Sequence, residues 1–220
     1  MTPLVPPASR PADDSSGKAL PFDAVLCDID GVLRHWPAVD AIEQAHGFDP
    51  GALAAAAFAP ARLLPAVTGA VADEEWRAGV AADLAAAHGS ADRAAALVAA
   101  WSEVLPRVDP EAAGLLTLAR ATVTVGLLSN GTTRLERDLA AQGLDTLAHT
   151  VVNTARIGVA KPDPRAYLTA AQLVGADPGR CLFVDDTPAN VTAARETGMT
   201  AVHYRGPEDL RAALAPLFPG

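Results

Sequence analysis

The sequence predicts a Rossmann-like α/β fold, a doubly wound parallel sheet with an α-helical domain inserted after its first strand. Two observations predict it. Short apolar runs recur along the chain, and helical patterns separate the later runs. The first run is separated from the second by residues 29–122, whereas a crossover between parallel strands needs only about a dozen residues.

The apolar runs have the composition of strands that are buried on both faces of a sheet. They are short, nearly continuous and rich in Val, Leu and Phe, and polar residues, Gly or Pro follow them, as in parallel sheets. We therefore predict strands at 24–28, 123–128, 149–153, 181–185 and 200–204.

Helices are predicted between the later strands. One covers about 132–142, and two others begin at Asp163-Pro164 and at Thr187-Pro188. Asp163 and Thr187 are typical N-caps, which accept hydrogen bonds from free helix amides, and proline suits the first helical position. Gly198 suits a left-handed helix end. Such alternation of strands and helices is typical of a doubly wound sheet.

The segment between the first two strands is predicted to form a separate helical domain, because a structureless loop of that length is uncommon. Helical patterns lie near 38–46, 74–87 and 91–105. The N-terminal segment is rich in Pro, Ser and Asp and lacks the apolar stretch of a signal peptide. The predicted organisation is a flexible tail at 1–21, an α/β core at 22–36 and 109–220, and a helical domain at 37–108.

Composition excludes several classes of partner. The formal net charge of -9 argues against a nucleic-acid groove or an anionic membrane surface, since both need clustered Lys and Arg. No window approaches the ~18–20 apolar residues of a membrane span. Cys27 and Cys181 lie in apolar runs and are expected to be buried core thiols. This cysteine usage favours a reducing cytoplasm.

Polar residues follow the predicted strands at the ends where open α/β sheets bind ligands. In chain order they are Asp28, Asp30, Ser129, Asn130, Lys161, Asp185 and Asp186. Gathered carboxylates would repel one another unless a cation lay among them, and oxygen ligands suit a hard ion such as Mg²⁺. The sequence therefore predicts a divalent-cation site at this edge of the sheet.

Four motifs resemble those of the haloacid dehalogenase superfamily, in particular its phosphatases with a helical type 1 cap. They are DIDGV at 28–32, LLSNG at 127–131, KPDPRAY at 161–167 and FVDDTPAN at 183–190. Each motif alone is weak, but their order and their places at successive strand ends are specific. The likeness covers roughly 23–36 and 109–205, and the insert lies where that family has its first type of cap.

The resemblance implies a magnesium-dependent phosphohydrolase that forms an aspartyl-phosphate. Asp28 would be the nucleophile. Asp30 would be the general acid/base, and the two side chains point the same way because they are two residues apart in an extended stretch. Lys161 would neutralise charge on the nucleophile and the phosphate. The expected substrate is a small phosphorylated metabolite, and the protein is expected to be a monomer or homodimer.

The resemblance also implies the metal ligands and the substrate contacts. The Mg²⁺ ligands would be Asp28, the backbone carbonyl of Asp30, Asp185 and Asp186, the last directly or through water. Ser129 and the amide of Asn130 would hold phosphoryl oxygens. Trp36, where the chain leaves the core, is a candidate for lining the substrate pocket.

Other residues receive structural roles or none. Trp76 and Trp101 are expected in the core of the helical domain, whereas Arg62 and Arg77 are candidates for substrate selectivity. Asn190 is expected to hydrogen bond the second acid of the last motif, Asp186. Four histidines show no metal-ligand spacing and receive no role: His46, His88, His149 and His203.

Three alternatives remain beside the phosphohydrolase. A 2-haloacid dehalogenase would share the aspartate nucleophile, but it needs neither Asp30, because no alcohol leaves, nor the double acid at 185–186. A phosphosugar mutase or other phosphotransferase would use the same residues, and the sequence does not separate it from a hydrolase. A catalytically silent binding protein would need a defect in the motifs, and the sequence shows none.

Overall fold

The computed structural model describes residues 20–218, in which five parallel strands form the central sheet. Their order across the sheet is Thr150–Asn153 (β5), Thr124–Ser129 (β4), Ala24–Cys27 (β1), Cys181–Asp185 (β6) and Thr200–His203 (β7). Each lies within a residue or two of its predicted bounds, so the predicted parallel α/β fold is confirmed. Residues 1–19, most of the predicted flexible tail, lie outside the described part of the chain.

Two very short strands, Arg34–His35 (β2) and Arg107–Val108 (β3), pair antiparallel where the chain leaves the sheet and returns to it. Between them lie the helices α1 (Asp40–Ala45), α2 (Ala52–Ala57), α3 (Pro60–Val67), α4 (Asp73–His88) and α5 (Ala91–Ser102). The sequence predicted α1, α4 and α5. It did not predict α2 and α3, which are short and begin without a side-chain cap.

The remaining helices precede, connect or follow the strands β4 to β7 of the sheet. They are α6 (Pro110–Arg120), α7 (Leu135–Ala141), α8 (Thr154–Ile157), α9 (Pro164–Val174), α10 (Pro188–Glu196) and α11 (Pro207–Leu214), with short 3-10 turns at Pro178–Arg180 and Ala215–Leu217. None of the described helices is long and apolar enough to cross a bilayer.

The two faces of β1 are buried in two different hydrophobic clusters. Val25 and Cys27 pack with residues of α6, α7 and α11, whereas Ala24 and Leu26 pack with residues of α9 and α10. Alternate residues of a strand point to opposite faces of the sheet, which explains why the apolar run is continuous. The sheet is therefore covered by helices on both sides.

Helix capping agrees with the sequence in part. Asp163 accepts a hydrogen bond from the Arg165 amide at 2.9 Å, as predicted, and Gly198 adopts a positive φ of 94°. Thr187 occupies the N-cap position of α10, but its side chain makes no capping bond. Its hydroxyl donates instead to Asp186 at 3.3 Å, and its amide donates to Asp185 at 2.8 Å. The prediction of Thr187 as a side-chain cap was wrong because its hydroxyl is turned toward Asp186 and accepts no hydrogen bond from the helix amides.

The inserted helices have a hydrophobic cluster of their own and also contact the sheet-forming part of the chain. Asp73, at the start of α4, accepts a hydrogen bond from Thr132 Oγ1 at 2.7 Å, and its amide donates to Thr133 Oγ1 at 2.9 Å. Arg134 donates to the backbone carbonyl of Ser102 at 3.0 Å. These bonds hold the insert over the carboxyl end of β4.

Candidate active site

Lys161 joins two aspartates that lie at the carboxyl ends of different strands, in the centre of the candidate site. Its ammonium lies 2.9 Å from Asp28 Oδ1 and 2.7 Å from Asp185 Oδ2, and it donates to the carbonyl of Leu128 at 3.0 Å. The side chains of Lys161 and Asp185 are 1% and 0% exposed, respectively. Such buried charges persist only when they are paired, and here one cation serves two anions.

Sheet topology explains this meeting of residues distant in sequence. The central strand β1 pairs with β4 on one side and β6 on the other, so three carboxyl ends adjoin. Asp28 directly follows β1, Ser129 ends β4 and Asp185 ends β6. The amide of Asp28 still donates to Val184 at 2.8 Å, which fixes its backbone beside β6. The strands thus bring together the residues that the sequence placed at successive strand ends.

The charges in this cluster perturb one another. Burial raises the pKa of Asp28 to about 7, with a further contribution from the nearby Asp185 charge that the attraction of Lys161 only partly offsets. Burial by itself would lower the pKa of Lys161, but Asp28 and Asp185 outweigh burial and raise it. Lys161 therefore stays charged at neutral pH, whereas Asp28 gains or loses its proton near neutrality.

Three carboxylates form a group that fits a divalent cation. One oxygen each from Asp28, Asp185 and Asp186 lies within 4.8 Å of the others. Gly31 makes room for this arrangement, because a Cβ at this position would lie 2.1 Å from Asp186 Oδ2. Its φ of 91° is also one that side-chain-bearing residues rarely adopt. An all-oxygen, anionic donor set suits Mg²⁺.

The Asp30 carboxylate lies outside this group of three and has other partners. It accepts hydrogen bonds from Arg34 Nε at 2.7 Å and from Trp36 Nε1 at 2.7 Å. Arg34 is buried, and its Nη1 donates to Gln142 at 3.0 Å. No sequence signal indicated the part played by Arg34 or Gln142, because both contacts depend on the folded chain. Metal ligation by the Asp30 carbonyl stays a prediction.

Asn130 acts on Lys161 through the backbone. Its side-chain amide donates to the Lys161 carbonyl at 2.9 Å and accepts from the Lys161 amide at 2.8 Å. Ser129 is buried beside it at the end of β4. Asn130 thus fixes the loop that carries the lysine, while the predicted contacts of Ser129 and Asn130 with phosphoryl oxygens remain predictions.

Asn190 contacts a different acid from the one the sequence predicted. Its Nδ2 lies 3.1 Å from both carboxylate oxygens of Asp185, not those of Asp186. Asn190 stands on the first turn of α10, which directs its side chain back toward the end of β6. Asp185 therefore has Lys161, Asn190 and the Thr187 amide as donors, which together satisfy a fully buried carboxylate.

A cavity of about 270 Å³ lies between the site and the inserted helices. Trp36, Trp76 and Trp101 line it, and Trp76 and Trp101 also pack edge to face, with ring centroids 5.4 Å apart. Trp76 is buried in the hydrophobic cluster of the insert, and Trp101 packs against that cluster, as expected. Arg77 lines the cavity, whereas Arg62 does not and pairs with Asp83.

Two of the histidines without a predicted role make structural contacts. His149 Nδ1 accepts from the Val125 amide at 3.0 Å, and His203 Nε2 lies 2.9 Å from the Asp186 carbonyl. Within residues 20–218, the group of side chains that fits a metal contains no histidine.

Comparison with known protein families matches the model of haloacid dehalogenase-like hydrolases over residues 22–198. The chain belongs to this hydrolase family. The match covers β1, the inserted helices and all the motifs at the strand ends, which agrees with the resemblance seen in the sequence.

Individual relatives support the family and the fold. A phosphoserine phosphatase of Thermus thermophilus is 35% identical over 131 residues, 56% of this chain and 53% of that protein. The hydrolase thus spans about half the length of this curated relative.

Among solved structures, a haloacid dehalogenase family enzyme of Bacteroides thetaiotaomicron in complex with magnesium and inorganic phosphate gives a TM-score of 0.64 at 22% identity, covering 82% of this chain and 92% of that one. The L-2-haloacid dehalogenase of Xanthobacter autotrophicus gives 0.60 at 24% identity, over 82% and 76%. At these identities the two structures show the fold alone.

Proposed function

We propose that this hydrolase is a magnesium-dependent phosphatase that cleaves a small phosphomonoester through an aspartyl-phosphate on Asp28. One observation carries the proposal: Asp28 lies 2.9 Å from the buried Lys161, within a group of carboxylates that also includes Asp185 and Asp186. A carboxylate nucleophile, a fixed cation and a set of oxygen ligands are the parts that phosphoryl transfer to a protein carboxylate requires.

In the first step, a carboxylate oxygen of Asp28 attacks phosphorus, and the bond between phosphorus and the ester oxygen breaks. Asp30 gives its proton to the departing alkoxide. In the second step, Asp30 takes a proton from water, the water oxygen attacks phosphorus, and the bond from phosphorus to Asp28 breaks. The products are an alcohol and inorganic phosphate, and both aspartates return to their starting states.

The surrounding residues prepare these steps. Lys161 stabilises negative charge on the phosphoryl oxygens and on Asp28, and Asn130 holds the Lys161 backbone in place. A bound Mg²⁺, held by Asp28, Asp185 and Asp186, would supply positive charge that offsets repulsion between the phosphate and these acids. Asp30 must exchange its bond to Arg34 or Trp36 for one to the leaving oxygen.

We also propose that 37–108 acts as a cap domain over a core formed by 22–36 and 109–220. The hydrogen bond that Thr132 donates to Asp73 and the one that the Asp73 amide donates to Thr133 support a closed position of this cap. Closure would exclude bulk water and limit the substrate to a small metabolite. Both described cysteines are free thiols and buried, which supports the expected cytoplasmic location.

The test is inorganic phosphate release from a panel of phosphate esters, with Mg²⁺ and with EDTA. The wild-type protein should release phosphate only with the metal, and Asp28→Asn should abolish release while keeping the fold. Asp145→Asn, the same chemical change at an exposed position, serves as the control and should keep full activity. Normal activity of Asp28→Asn would refute the proposal.

The same samples separate the alternatives. Halide release from 2-haloacids without metal would indicate a dehalogenase. Interconversion of sugar phosphate isomers without phosphate release would indicate a mutase. Mg²⁺ binding without any turnover would indicate a binding protein.

A further inference from the structure

The cavity beside the candidate site is continuous with the proposed catalytic residues. Asp30 and Asn130 line it on the side of the sheet, and residues of α2, α4 and α5 line it on the side of the insert. Trp36 and Phe58 also line the cavity, and they are 45% and 58% exposed. The cavity is therefore open to solvent and also reaches the proposed general acid, Asp30.

The cavity walls are mainly apolar. All three tryptophans of the chain line it, and aliphatic residues such as Leu53 and Val67 contribute to its surface. Apolar walls with only a few polar groups are typical of sites that bury the organic part of a small ligand. Polar sugars would leave many hydroxyl groups without partners on such walls.

The charged side chains of the cavity are already paired with one another. Each lining arginine forms an ion pair with a lining aspartate four residues away, at 2.7, 2.7 and 2.8 Å. The pairs are Arg34 with Asp30, Arg77 with Asp73, and Arg134 with Asp138. A carboxylate, an ammonium or a second phosphate on the substrate would have to displace one of these partners, which is costly away from water.

We infer that the substrate of this hydrolase is a phosphomonoester whose organic part is uncharged, largely apolar and about one or two rings in size. The inference rests on the proposed phosphatase function and specifies its substrate class. A cavity of about 150 Å³ is known to accept benzene, so the larger volume here suits a one- or two-ring group. Amino-acid phosphates, bisphosphates and small sugar phosphates are predicted to be poor substrates.

Primary alkyl phosphates test the inference without a difference in leaving-group chemistry. We compare kcat/KM for 2-phenylethyl phosphate, ethyl phosphate, glycerol phosphate and 2-aminoethyl phosphate, all with Mg²⁺. The kcat/KM of the 2-phenylethyl ester should exceed that of both the glycerol and the aminoethyl ester by about tenfold or more, since differences of this size follow from filling an apolar pocket. Equal or higher values for either polar ester overturn the inference.

Two neighbouring alanines of α2 provide a matched pair of variants. Ala54 and Ala55 are both exposed, but only Ala54 lines the cavity. Ala54→Leu should lower the ratio of kcat/KM between 2-phenylethyl and ethyl phosphate by about tenfold, because the larger side chain occupies the cavity. Ala55→Leu should leave that ratio unchanged. Equal ratios in the two variants would contradict the inference that the phenyl ring of the substrate binds in this cavity.

Binding can be measured apart from turnover. Benzylphosphonate cannot be hydrolysed at its carbon–phosphorus bond, and all the tryptophan fluorescence of the chain comes from residues that line the cavity. Benzylphosphonate should perturb this fluorescence, and it should bind at least about tenfold more tightly than 2-aminoethylphosphonate. If no ester is hydrolysed, the proposed function fails, yet this preference still supports an apolar site. Tighter binding of the aminoethyl compound overturns the inference.

Discussion

Replacing Lys161 by methionine tests the electrostatic arrangement on which the site depends. The substitution keeps the length and most of the apolar stem, but it removes the one ammonium that residues 20–218 place beside Asp28 and Asp185. Removing one partner of a buried ion pair costs about 3–5 kcal/mol, because the remaining charge is left uncompensated. In a chain of this size 1 kcal/mol shifts the melting temperature by about 2–4 °C, so a decrease of about 6–20 °C is expected.

The decrease should depend on pH in a defined direction. Asp28 has a pKa of about 7 in the folded protein against an ordinary value of 3.8, so its proton stabilises the folded state below neutrality. That stability is lost as the pH rises from about 4 through 7. Without Lys161 the pKa of Asp28 should rise further, so the difference between variant and wild type should be larger at pH 8 than at pH 5.

Thermal unfolding followed by circular dichroism in EDTA measures this difference. Arg165→Met is the matched control, because Arg165 also lies 2.7 Å from an aspartate, Asp163, but is 75% exposed. It should change the melting temperature little, since solvent screens exposed pairs. The double variant Lys161→Met/Asp185→Asn should recover part of the melting temperature that Lys161→Met loses. A shift no larger than that of Arg165→Met would refute the buried electrostatic account.

Three further predictions follow from the same contacts. Mg²⁺ should bind more weakly below pH 7, by up to about tenfold per pH unit, since the ion must displace a proton from Asp28; calorimetric titration measures this. Asp30→Asn should lower kcat/KM, which reports formation of the aspartyl-phosphate, by about 10²–10⁴-fold for alkyl phosphates but less for p-nitrophenyl phosphate, because nitrophenolate leaves without a proton; equal losses of kcat/KM would contradict general acid catalysis. Thr132→Val should raise KM about fivefold by removing the bond to Asp73, and Thr132→Ser should not, as initial-rate kinetics will show.

Much of the fold could be predicted because the apolar runs and the helix-end residues of the sequence agree with the arrangement that the parallel sheet requires. The five apolar runs became the five strands, since strands buried on both faces need continuous apolar sequence. Asp163 and Gly198 marked helix ends correctly, because their roles depend on neighbouring backbone alone. Helices α2 and α3 were missed, since six to eight Ala- and Pro-rich residues give little periodicity.

The position of the site could also be predicted, but several of its contacts could not. Strand ends that are adjacent in a parallel sheet bring Asp28 and Asp185 together, and this rule needs only the strand order. The pairing of Arg34 with Asp30 and the choice of Asp185 by Asn190 depend on side-chain directions in the folded chain. The cavity depends on how the inserted helices lie over the sheet, which the sequence pattern does not specify.

The most direct test of the account is to identify the residue that carries the phosphoryl group during turnover. Asp30→Asn should slow hydrolysis of the intermediate, so this variant is mixed with p-nitrophenyl phosphate and Mg²⁺, quenched in acid and analysed by peptide mass spectrometry. The account predicts one phosphoryl group on Asp28 and none in the same variant that also carries Asp28→Asn. A phosphoryl group on another residue, or continued phosphate release without Asp28, would contradict it.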